Sequence, residues 1–187
     1  MRRFDHPAQP VDPYPEPGTR IAAFRYDSAL VLLRLKDAVK MRSGEDADYL
    51  TGGPFLVSWQ PEGEDWRQIV VPAGLVTDLT SVPRLLRIVI GRVGPWLEAA
   101  IVHDYLYIAW QDLPDGAPRF ADRAFADEIM RVAMIEAGVP RWAVWLIHKA
   151  VRWFGAGAYA RRDEDRYVDL DDPDIRAQLP FRVPRLS

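Results

Sequence analysis

The order of apolar patterns along the chain predicts an α+β fold. It is a small antiparallel sheet in the N-terminal half, then a bundle of about three helices, with extended N- and C-terminal arms. Three observations carry this. Apolar runs of strand length fall before residue 72, and three longer stretches with helical spacing, bounded by Gly or Pro, follow residue 94. Both ends are rich in proline or acid and poor in aliphatic side chains. Strands first and helices after is the order of an α+β domain.

Residues 1–19 read as an extended arm. Pro7, Pro10, Pro13, Pro15 and Pro17 favour polyproline geometry, and a segment so poor in aliphatic side chains builds no core alone. The run 28–35 (SALVLLRL) has strand length. Two more strands, 55–59 and 68–71, flank a polar, Gly-containing stretch and read as a hairpin. Gly94-Pro95 opens the first helix with proline in its first turn, and the apolar spacing runs to about residue 110. A second helix runs from about 121 to 137 and stops at Gly138; Pro140 opens a third, which stops at Gly155. Residues 163–187 begin acidic and end with Pro180 and Pro184, an irregular tail. The expected organisation is an arm (1–19), one α+β domain (20–162) and a tail (163–187).

At 187 residues the chain is long enough for one sizeable core without staples. Its net charge of −3 argues against a nucleic-acid-binding surface over the whole molecule, so no nucleic acid is expected as partner. The absence of cysteine excludes disulfide frameworks, thiolate zinc sites, iron–sulfur clusters and cysteine nucleophiles. MRRFDHPAQP has two arginines but no apolar stretch behind them, so no secretory signal peptide is expected. No apolar run approaches the roughly 20 residues of a membrane span.

The segment 95–110 (PWLEAAIVHDYLYIAW) is the most informative. Between Glu98 and Asp112 only His103 and Asp104 titrate near neutral pH. Helical spacing puts Trp96, Ala100, His103 and Tyr107 on one stripe and Leu97, Ile101, Asp104 and Ile108 on the next. A helix apolar on every side is a buried helix, and a buried carboxylate needs a cation, a metal or hydrogen-bond donors. A satisfied structural pair and a reactive site both meet that need. Thr77, Asp78 and Ser81, ahead of Pro83, and Asp122, near the start of the second helix, are further candidates for the same polar pocket. Each also suits a local capping role. His148 sits in the aromatic third helix and reads as an ordinary half-buried histidine. Most of the aromatic stripe there (Trp142, Trp145, Trp153, Phe154) is expected in the core, with a minority left for a contact patch.

The blocks TDLTSVPR, HDYLY, ADRAF, GVPRW and VRWFG, in that order across about residues 57–160, resemble an uncharacterised domain family found mainly in tailed phages, prophages and gene transfer agents. The resemblance implies genomic company with phage structural and lysis genes, and the function expected from that company is a structural or accessory component of a phage or phage-like particle, the tail region favoured. Its ends (1–19 and 163–187) would bind neighbouring particle proteins, after synthesis in the bacterial cytoplasm. His-Asp-x-x-Tyr on one helix followed by Asp-x-x-Phe on the next is similar to the secreted phospholipase A2 pattern. That likeness implies His103 as general base, Asp104 as a Ca²⁺ ligand, and Tyr107 and Asp122 as orienting groups; Asp78, from the polar-pocket reading, is a further candidate metal ligand. The alternative function is thus an envelope-directed hydrolase acting on lipid or cell wall. The chain departs from the phospholipases in lacking their disulfides, and only Gly91-Arg-Val-Gly94 stands where they carry a glycine-rich loop.

Overall fold

A computed structural model describes residues 12–34, 49–77, 94–163 and 166–179. Its strands precede its helices, as expected. β1 (Ile21–Tyr26), β4 (Phe55–Pro61) and β5 (Arg67–Val71) form one antiparallel sheet with β4 central. β2 (Leu32–Leu33), β3 (Tyr49–Thr51) and β6 (Val76–Thr77) form a second. β4 and β5 are the expected hairpin, turned through Gly63 at φ +79°. The strand expected at 28–35 is reduced, among its described residues, to the two paired leucines of β2. The longer strand is β1, seven residues earlier. It was missed because Ile-Ala-Ala-Phe-Arg-Tyr is less apolar than the run that follows, and its pairing with β4 is a tertiary fact.

Three longer helices follow, the first two packed against the sheet. α1 (Leu97–Ile108) is buried along most of its length, as its all-round apolar surface predicts, and ends in a 3₁₀ turn, Ala109–Asp112. α2 (Phe120–Glu136) packs on α1 and on β1; the Trp59 and Phe125 rings lie 4.9 Å apart, and Tyr26 Oη donates to the carbonyl of Ala133 at 2.9 Å. It ends as the sequence indicates: Gly138 takes φ +77°, its N–H bonds the carbonyl of Ile135 (3.0 Å), and Val139 N–H bonds that of Met134 (3.0 Å). α3 (Arg141–Phe154) starts after Pro140 and packs on α2 through Ala143, Val144 and Ile147. The aromatic stripe of α3 is where expectation fails. Trp142, Trp145, Trp153 and Phe154 are 56%, 60%, 70% and 75% exposed. The smaller side chains Ala143, Val144 and Ile147 are the ones that face the core.

Both end segments reach the body. Tyr14 is buried, its hydroxyl donating to the carbonyl of Leu106 (2.5 Å) and accepting from the N–H of Trp110 (3.1 Å) at the C-terminal end of α1. At the other end Tyr167 bridges to Leu75, and Val168 N–H bonds the carbonyl of Gly74 at 2.9 Å. Gly74 is required there: its φ is +80°, and a Cβ would lie 2.2 Å from the carbonyl oxygen of Val168. No helix among the described residues is long and apolar enough to cross a membrane.

Candidate active site

His103 and Tyr107 lie one turn apart on α1 and face α2, their rings 4.0 Å apart. Both converge on one atom of α2. His103 Nε2 lies 3.1 Å from Asp127 Oδ1, and Tyr107 Oη donates to the same oxygen at 2.7 Å. His103 is nearly buried and Asp127 fully so. Oδ1 already accepts from a phenol, and a carboxylate offers no hydrogen of its own. The hydrogen of the His103–Asp127 bond is therefore assigned to Nε2, which leaves Nδ1 as the basic nitrogen. Burial, and then the Asp127 carboxylate, push the Tyr107 hydroxyl far above the ordinary tyrosine range, so it stays a donor.

The C-terminal end of α3 closes over Tyr107. Gly155 comes so near that a Cβ there would lie 2.3 Å from Tyr107 Oη. Tyr159, in the short turn that follows, packs edge-on against Tyr107 with ring centroids 5.3 Å apart. Arg123, one turn before Asp127 on α2, is also buried, and its positive charge lies close enough to Tyr107 to be felt by that hydroxyl.

Asp104 points elsewhere, as its position on the neighbouring stripe requires. Thr77 Oγ1 donates to Asp104 Oδ2 at 2.6 Å, which ties β6 to α1. Thr77 and Asp104 are thus brought together; Asp78 and Ser81 lie outside the described residues. Asp104 is half-buried, and a half-buried carboxylate is a hard oxygen donor of the kind Ca²⁺ prefers. Among the described residues no group of three or more His, Asp or Glu gathers as a metal site.

Asp122 does not join His103. It lies in the first turn of α2, where its electrostatic neighbours are Arg119, Asp12 and Asp115. Burial raises its pKa to about 6, and its Oδ2 has no hydrogen-bond partner among the described residues. The aspartate that faces His103 is Asp127, not the Asp122 that the phospholipase likeness implies. The periodicity offered no choice between them. Asp122, Ala126, Ile129 and Ala133 form one buried stripe, and Arg123, Asp127, Met130 and Met134 form another. His148 is half-buried beside Glu128, at 3.8 Å, and burial lowers its pKa.

Residues 57–151 match the family described as Protein of unknown function (DUF1353), just over half of the chain. No curated protein and no solved structure matches it.

Proposed function

The chain belongs to the DUF1353 family, whose matched region contains His103, Tyr107 and Asp127, and from that premise we propose that it is a hydrolase with His103 as general base. The observation that carries this is the pair of bonds to one oxygen: Asp127 Oδ1 holds both His103 Nε2 and Tyr107 Oη. A buried imidazole is bonded whatever its role; what supports a site here is that its partner is a carboxylate which a buried phenol also holds in place. A general base needs its ring orientation and tautomer held, and the bond from Nε2 to Asp127 supports that requirement. Nδ1 takes a proton from water as the water attacks an acyl carbon, and later returns it to the leaving alkoxide. Asp127 and Tyr107 are positioning residues.

The substrate class that fits best is a phospholipid ester, an uncharged acyl bond attacked by water. Asp104, bonded by Thr77, is the side chain that would hold Ca²⁺, and the chemistry such a cation would supply is that of a Lewis acid. A particle component that uses its two ends as arms is the other reading. The site favours the hydrolase, since Tyr14 and Tyr167 carry the described parts of those ends onto their own domain.

The test is fatty-acid release from phospholipid by purified protein, with Ca²⁺ and with chelator, beside a His103→Asn variant shown by circular dichroism to keep its helices. Release by the wild type and a loss of about a hundredfold or more in the folded variant are expected. Equal release by both proteins, or none by either, would discard the general-base role.

A further inference from the structure

α3 has two faces of opposite character. Its inner face is Ala143, Val144 and Ile147; its outer face carries Trp142, Trp145, Lys149, Arg152 and Trp153, within about a third of the helix circumference. The charge there is one-sided. Residues 141–162 contain five Lys and Arg and no Asp or Glu. The net charge of −3 therefore divides into +5 on this segment and −8 over the rest of the chain.

Beside the outer face lies a groove of about 760 Å³ between α2, α3 and the segment before β1. Arg123, Lys149 and Arg152 line it, with Phe120 and Trp153 exposed at its edges. Arg123 is only 7% exposed, yet its guanidinium has no ion-pair partner among the described residues. Its recorded contacts are the carbonyl of Arg152 (3.3 Å), the Phe120 ring (5.5 Å from the centroid) and the neighbouring Tyr107. The lining carboxylates are Glu16 and Glu128, and Glu128 is already bonded by Arg131 at 2.6 Å.

We propose that the outer face of α3 docks on an anionic phospholipid bilayer, with the adjacent groove receiving a lipid phosphate on Arg123, Lys149 and Arg152. Indole rings interleaved with long cationic side chains, on a helix without acids, suit the interfacial layer of a bilayer. There the rings bury among acyl-chain ends while the charges reach the phosphates. This names a surface for the proposed hydrolase and fits that reading, but it stands on different residues.

The test is co-sedimentation of the full chain with vesicles of phosphatidylcholine alone and of equal parts phosphatidylcholine and phosphatidylglycerol, with tryptophan emission read in parallel. The expected result is binding to the mixed vesicles with a blue shift, and at least about tenfold weaker binding by Trp145→Ala/Trp153→Ala. Lys149→Glu/Arg152→Glu is expected to lose the preference for anionic vesicles. Trp145, Arg152 and Trp153 are exposed and Lys149 is half-buried, and circular dichroism of each variant checks that its helices are kept. Undiminished binding by both variants, or none by the wild type, overturns the proposal. So does concentration-dependent dimerisation that the tryptophan variant abolishes, which assigns the face to a second copy of the chain. Because binding requires no turnover, vesicle binding without fatty-acid release removes the hydrolase reading alone.

Discussion

Asp122 and Asp127 stand five residues apart on α2, both within the protein and each with its Oδ2 buried and unpartnered among the described residues. They differ in what meets the other oxygen. Asp127 lies mid-helix opposite α1, where a phenol and an imidazole both turn to it. Asp122 lies in the first turn, its pKa raised by desolvation with Arg119 as the opposing influence. Burial of a carboxylate is therefore no mark of function; the donors aimed at it are. A carboxylate held by two donors organises its neighbours, whereas one without them is a cost that the rest of the fold offsets.

The strongest test of this contrast is Asp127→Ala. It strands Tyr107 Oη and His103 Nε2 in the interior, and a loss of about 3–5 kcal/mol in stability by chemical denaturation is expected. The isosteric Asp127→Asn should keep more of the fold. Its amide can donate to Nε2 and so reverse the imidazole tautomer, which should depress any hydrolysis and shift its pH profile. A normal pH profile in that variant would mean that Asp127 only supports the structure.

Gly155→Ala probes the same cluster from the other side. The added methyl would meet Tyr107 Oη at 2.3 Å, so α3 or the tyrosine must move. A loss of about 1–3 kcal/mol is expected, the usual cost of overpacking. A neutral result would show that the end of α3 is free to lift from Tyr107.

The smallest expected effect has the opposite sign. The pKa of Asp122 is about 6 in the folded protein and near 3.8 when unfolded, so ionising it opposes folding. That penalty is absent below pH 4, grows through pH 4–6 and is fully present at pH 7. Asp122→Asn should therefore stabilise the protein at pH 7 by about 1 kcal/mol, a value discounted for partial solvent screening. The gain should vanish as denaturation is repeated towards pH 4. Destabilisation at pH 7 would give Asp122 the same standing as Asp127.

Much of this was legible in the sequence for local reasons. Pro95, Gly138 and Pro140 lie at or beside helix ends because proline's fixed φ and glycine's access to positive φ act within a turn, wherever the helix is later packed. The apolar girdle of 95–110 announced a buried helix whose polar residues need partners; His103 is buried, whereas Asp104 is only half-buried. Asp104 found a donor among the candidates named for it, Thr77. The exposed tryptophans of α3 were misjudged because periodicity shows that a helix has two faces, not which of them a neighbour covers. Here α2 covers the face of Ala143, Val144 and Ile147. The choice of Asp127 over Asp122 was likewise made in tertiary structure, since two adjacent stripes of α2 are equally buried and only the placement of α1 decides which aspartate meets His103. Helix boundaries follow from bonds within a few residues, whereas the partners of a side chain follow from distances between segments far apart in the chain.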